Sequence, residues 1–140
     1  MKFPPWLMVY GDATYRGACP KEDVEQVSLF NRIRKEYPDS WGRLALHPRN
    51  EGLREKGQFS TVMKHAAEGM TPGAADVIIP GAPSLVIEIK RRDHTLSSWQ
   101  PGQVAYLEAA HNAGAFACVA LGALGAWQAF QNWVETQKAS

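Results

Sequence analysis

At 140 residues, with 45% hydrophobic and 21% charged side chains, the chain is sized for one globular domain with a full core. A net charge of +1 gives no global field for a polyanion, yet eleven of the fifteen Lys/Arg and only seven of the fourteen acids fall within residues 32–92. Two cysteines are too few for a disulfide framework or a cysteine zinc site, and neither a signal-peptide pattern nor an apolar run of the roughly 20 residues a membrane helix needs is present, so the composition predicts a reduced, cytoplasmic protein.

Residues 1–20 combine Pro4, Pro5 and several aromatics without periodicity, and read as an irregular arm ahead of a domain spanning 21–140. A helix is predicted over 21–37. Val24, Val27, Leu29 or Phe30, and Ile33 recur at helical spacing, acids fill its first turn, and Pro38 ends it. RLALHP (43–48) reads as a short strand closed by Pro48, and 58–70 as a helix with Gly69 near its end. Two strands follow, ADVIIP (75–80) and SLVIEIK (84–90). The link of Gly81, Ala82 and Pro83 is long enough for a hairpin and too short for a parallel crossover. Pro101 is placed to open a helix over 101–113, FACVALG (116–122) reads as a buried strand, and a final helix carries Leu124, Trp127, Phe130 and Val134 at helical spacing. The order is αβαββαβα, with a right-handed crossover through the helix at 101–113.

The hairpin carries the chemistry. Alternation along a strand sends Glu88 and Lys90 to one face and Leu85, Ile87 and Ile89 to the other. A turn at 81–83 sets Asp76 opposite Ile87 or Glu88, bringing two carboxylates within reach of a shared ion. Hard oxygen donors of this kind select Mg²⁺ or Mn²⁺ over zinc. Lys90, one pleat along, is placed to orient a water or stabilise charge on a phosphate, and the set predicts metal-assisted phosphodiester hydrolysis. An edge-strand salt bridge of Glu88 with Lys90 or Arg92 is the plainer account of that spacing.

The wider text resembles a known family. Asp76-x11-Glu88-Ile89-Lys90 resembles the PD-(D/E)xK nuclease signature. EGMTPGAADVIIP, LVIEIKRRDHTLS, QVAYLEAAHNAG, LHPRNEG and EDVEQVSLF are similar to successive motifs of its VRR-NUC branch, the virus-type replication-repair nucleases, from about residue 20 to residue 123. The departures are Ala75 for proline, an inserted Arg49, and Gln100 where serine is usual; none replaces a ligand. The resemblance implies a restriction-endonuclease-like α/β fold with an αβββαβ core, a central mixed sheet flanked by helices in a single domain. It also implies metal ligation by Asp76, Glu88 and the Ile89 carbonyl, catalysis by Lys90, and phosphate or water positioning by Gln103. An acid of the first helix, Glu22 or Glu25, completes the set; the two lie one turn apart on neighbouring faces, and the E-x-x-x-Q spacing to Gln26 leans to Glu22.

Stand-alone members of that family look like phage and prophage homodimers acting on branched DNA. The resemblance therefore implies a Mg²⁺- or Mn²⁺-dependent endonuclease, a Holliday-junction resolvase above all, with DNA as partner and neither membrane nor nucleotide cofactor. A repair nuclease directed to flaps or nicks, and a catalytically silent DNA-binding or dimerisation module, are the rival readings. His47, Arg49, Asn50, Arg91, Arg92 and His94 are expected at the DNA, and Trp6, Trp41 and Trp99 are aromatics able to stack on unpaired bases. Trp127 and Trp133 suit a core or interface, and the apolar last helix predicts self-association.

Overall fold

The structure, a computed structural model, describes residues 1–48 and 59–138. Its elements in chain order are β1 (Met8–Tyr10), α1 (Glu22–Glu36), α2 (Trp41–Leu44), α3 (Phe59–Ala67), β2 (Val77–Ile79), β3 (Leu85–Lys90), α4 (Gln103–Asn112), β4 (Phe116–Leu121) and α5 (Gly122–Lys138). The four strands form one mixed sheet in the order β1-β4-β3-β2. β2 and β3 are the antiparallel hairpin, with Val77 opposite Ile87 and Ile79 opposite Leu85. α4 carries the chain from β3 to β4, which run parallel with Glu88 opposite Val119, as a helical crossover requires.

β3 is buried along its whole length, so its alternation divides two cores. Leu85, Ile87 and Ile89 face a layer built from Leu29, Phe30 and Ile33 of α1 and Ala126, Phe130 and Trp133 of α5. Val86 faces the opposite layer with Leu107, Val119 and Leu7. Glu88 and Lys90 continue that second face, where apolar packing gives way to a polar cleft. Cys118 is a free, fully buried thiol, as the cysteine count predicts.

Several expectations need correction. The arm is not irregular throughout: Met8–Tyr10 pairs parallel with Cys118–Ala120 as an edge strand. RLALHP is not a strand; its start belongs to α2, and a single antiparallel bridge of Leu46 with Ile78 stands beside the hairpin. Val24 and Val27 face outward at 54% and 58% exposure, because α1 shows the core only the narrow stripe of Leu29, Phe30 and Ile33. Pro101 precedes α4 in a turn, and Gly102 is the residue that opens the helix.

Leu124 is exposed, whereas Trp127, Phe130, Trp133 and Val134 pack within the chain's own core. The Trp133 indole N–H also donates to the Pro83 carbonyl at 2.7 Å, so α5 braces the hairpin link. Trp127 and Trp133, the tryptophans that suggested self-association, both pack inside one copy, and the Trp127 indole N–H is buried there without an acceptor among the described residues.

Candidate active site

Asp76 immediately precedes β2, and extending the register by one step from Val77 and Ile87 sets it across from Glu88. Asp76 Oδ2 accepts the Ile89 backbone N–H at 2.8 Å, and this contact fixes its carboxylate over the end of β3. The Asp76 carbonyl accepts from His47 Nδ1 at 2.8 Å. His47 reaches that position because the backbones of Leu46 and Ile78 exchange two hydrogen bonds of 3.0 Å. The bridge therefore sets one wall of the cleft.

Lys90 is 2% exposed and fully engaged. Its ammonium donates to the Ser98 carbonyl and to Gln103 Oε1, each at 2.8 Å. It lies 3.5 Å from Glu22, 3.7 Å from Glu88 and 5.3 Å from the centre of the Trp99 ring. Gln103 Nε2 donates to Glu88 Oε1 at 2.8 Å, and Gln103 Oε1 also accepts the Gln100 N–H. One amide thus holds both the acid and the base of β3. Its oxygen takes two donors and one of its two N–H groups serves Glu88, so Gln103 ties the site residues to one another.

Two glycines bring these parts together. Gly73 and Gly102 both take left-handed backbone, with φ of +78° and +88°, and pack against each other without side chains between them. Gly73 lies three residues before Asp76 and Gly102 immediately before Gln103, so their contact joins the two halves of the site.

Burial governs the charges. It pushes the Glu88 carboxyl well above its usual range, with the adjacent Asp76 adding to the shift and Lys90 opposing it. Asp76 is raised by burial against the Ile89 N–H, and Glu22 by burial against Lys90. Three carboxyls that resist ionisation surround one ammonium in a cleft of about 550 Å³. Glu88 Oε2 is buried and accepts no hydrogen bond. A buried, orphaned carboxylate oxygen beside a second carboxylate is a site short of a cation or proton.

Among the described residues no three His, Cys, Asp or Glu side chains converge as a closed metal cage. Mg²⁺ does not need one, since it retains several waters and is held by one or two carboxylates. The donor set of Asp76 and Glu88 fits such an ion. Ile89 sits between the two site residues of β3, its side chain in the core and its N–H on Asp76.

The other expected residues separate. Glu25 faces away from the cleft and accepts the Ala123 N–H at 2.7 Å, so Glu22 is the helical acid beside Lys90. Arg91 donates to the carbonyls of Cys19 and Pro20 in the arm. His94 is buried and contacts the Ala13 carbonyl through Nε2. Both residues anchor the arm. Arg92 is exposed and lies 3.9 Å over the Tyr15 ring. Arg49 and Asn50 lie outside the described residues.

The aromatics are also occupied. Trp6 stacks on His111, Trp41 meets Trp133 edge-on, and the Trp99 indole donates to the Lys2 carbonyl. Ser98, the place of Trp99 beside Lys90, and the Gly73–Gly102 contact escaped the sequence reading. A lysine inside a buried strand must find acceptors nearby, and the chain leaving β3 is the nearest source, which is the signal that points to Ser98.

No protein-family model and no curated protein matches this chain. Among solved structures, one described as "VRR_NUC domain protein" aligns with a TM-score of 0.63 over 86% of this chain and 92% of its own, at 21% identity. At that identity the likeness is one of fold. The chain has the mixed α/β fold of a VRR-NUC domain, as its motifs implied.

Proposed function

We propose that this chain is a divalent-metal-dependent deoxyribonuclease that cleaves branched DNA, four-way junctions above all, as a homodimer. The observation that carries the nuclease reading is the set of Asp76 with the buried and linked Glu88, Gln103 and Lys90, closed by Glu22 at the mouth of the cleft. A packing core has no use for three ionisable groups and an amide linked in this way.

Asp76 and Glu88 would hold the Mg²⁺ or Mn²⁺, with the Ile89 carbonyl as the backbone donor the family pattern implies. The cation's chemistry there is Lewis-acid polarisation of a phosphoryl oxygen and activation of the attacking water. Lys90 supplies fixed positive charge where negative charge develops on the phosphate. Gln103 keeps Lys90 and Glu88 in one orientation, and Glu22 balances the ammonium from the open side. The preference for junctions and the dimer rest on the resemblance to stand-alone VRR-NUC proteins; two sites on a two-fold axis suit paired cuts.

Cleavage of a four-way junction, a flap and a linear duplex with Mg²⁺, Mn²⁺ or EDTA tests this, with Lys90→Ala beside the wild type. Metal-dependent cutting of the junction alone, lost in the variant, is the expected result. Cutting of all three keeps the chemistry and removes the junction preference. DNA binding without cutting in either metal makes the chain a binding module.

A further inference from the structure

A second groove, of about 510 Å³, opens beside the cleft between α1 and the segment Ala45–His47. Gln26, Val27 and His47 line both depressions, which therefore adjoin along one shared wall. A single stripe of α1 builds it: Gln26 and Val27, then Phe30 and Asn31, then Arg34, one set for each helical turn. The stripe begins at Glu22 in the cleft. Phe30 lies about 12 Å and Arg34 about 18 Å further along the helix axis.

The chemistry of the groove changes along its length. Its floor is apolar, with Phe30 and Ala45 each 7% exposed. Val27 and Leu46 stand at its mouth, 58% and 45% exposed. Gln26 and Asn31 supply amides, and the Arg34 guanidinium lies 5.1 Å from the Phe30 ring centre. An apolar floor with amides beside it, and a guanidinium over the Phe30 ring on whose plane a base can stack, suits an unstacked nucleobase and its neighbouring phosphate. A base inside a duplex has both faces covered and makes no use of such a floor.

We propose that this groove receives an unpaired nucleotide next to the scissile phosphate, so that the site selects DNA in which a base has left the stack. The inference rests on the nuclease reading and narrows its substrate. A strand with a phosphate at Asp76 and Glu88 has to leave the cleft, and the shared wall of Gln26, Val27 and His47 leads it into the groove.

The test combines a metal-free and a catalytic measurement. A branched oligonucleotide carrying 2-aminopurine at the unpaired position is titrated with protein in EDTA. Fluorescence changes on binding to wild type, and the change is lost in Val27→Phe, which fills the mouth, and reduced in Arg34→Ala. Unchanged unfolding midpoints show that both exposed sites tolerate substitution.

Cleavage is then compared between substrates bearing a base or an abasic analogue at either flank of the cut. Wild type loses about tenfold or more in kcat/KM without the base on one flank, as expected from one lost base–protein stack. Val27→Phe distinguishes the two substrates by less than about twofold, because the coupled partner is already blocked. Equal cutting of base and abasic substrates at both flanks overturns the proposal, as does an equal loss on both in Val27→Phe. If wild type cuts nothing in either metal, the nuclease reading falls, and the fluorescence titration alone decides whether the groove binds an unpaired base.

Discussion

Glu25 Oε2 accepts the backbone N–H of Ala123 at 2.7 Å, fastening α1 to the first turn of α5. A carboxylate at the start of a 17-residue helix satisfies an otherwise unpaired N–H and meets the positive end of the helix dipole. One turn earlier on the same helix, Glu22 lies 3.5 Å from the Lys90 ammonium. The two acids that the sequence offered for one role have different ones. Glu25→Ala is expected to cost about 1–2 kcal/mol of stability, as loss of a helix cap does, while cleavage stays near wild type. Glu22→Gln is expected to leave the unfolding midpoint almost unchanged and to lower kcat by about tenfold to a hundredfold. Chemical denaturation and single-turnover cleavage of both variants check the split; a stability loss confined to Glu22→Gln would reverse the assignment.

Gln103 is the second discriminating position. Its amide receives Lys90 and donates to Glu88, and both partners are almost fully buried. Gln103→Ala leaves the Glu88 oxygen and the Lys90 ammonium each short of one partner, with a stability cost of about 1–3 kcal/mol. Because the residue positions the reacting groups, kcat is expected to fall about 10- to 100-fold while KM for DNA holds. Gln103→Glu should lose more, since it sets a third carboxylate against Glu88. A rise in KM with kcat unchanged would instead mark Gln103 as a substrate contact.

The hairpin and its chemistry were legible because they are local. Strand alternation and a three-residue link are enough to put Glu88 and Lys90 on one face and Asp76 across from them. What escaped depends on distant partners. Met8–Tyr10 is a strand only because β4, more than a hundred residues away, offers a parallel edge. Four residues of α2 are too few to show a helical period. Glu22 and Glu25 lie one turn apart on neighbouring faces of α1, and only the positions of Lys90 and Ala123 give them their separate roles. The hydrogen bonds of Arg91 and His94 to the arm escaped as well, because the arm carries no periodicity of its own.

Gly73 and Gly102 make the site sensitive to a single methyl group. A Cβ on Gly73 would overlap the Gly102 carbonyl carbon, and the φ of +78° disfavours any L side chain. Gly73→Ala is expected to destabilise the fold by about 1–3 kcal/mol and to displace Asp76 and Gln103 relative to one another. A shift of about 1 Å between reacting groups is enough to cost about a hundredfold in rate. Gly69→Ala is the control, since Gly69 has a φ of +102° but nothing within 4 Å of a new Cβ. It should show the backbone penalty of about 1 kcal/mol without the catalytic loss. Equal cleavage by the two variants would show that the glycine contact does not hold the site.

The carboxyl pair makes stability depend on pH in a predictable direction. In the unfolded chain Asp76 and Glu88 ionise near their ordinary values of 3.8 and 4.5; in the folded protein burial holds both protons on to higher pH. Between the unfolded and folded values the native state binds more protons than the unfolded state. Stability therefore falls as pH rises through that window, by about 1.4 kcal/mol per pH unit for each proton of difference, and levels off once the folded values are passed. Glu88→Gln removes one titrating group and keeps an oxygen to accept from Gln103. Without metal, the variant should lose less stability with rising pH than wild type, and be the more stable of the two at neutral pH. Mg²⁺ should raise the wild-type midpoint at neutral pH and leave Glu88→Gln nearly unmoved, because ligand binding stabilises only the form that binds it. Urea unfolding across pH, with and without Mg²⁺, measures all three. A variant less stable than wild type at neutral pH would show that the Glu88 carboxylate is held for packing and not under electrostatic strain. In that case the site would not be one that a cation completes.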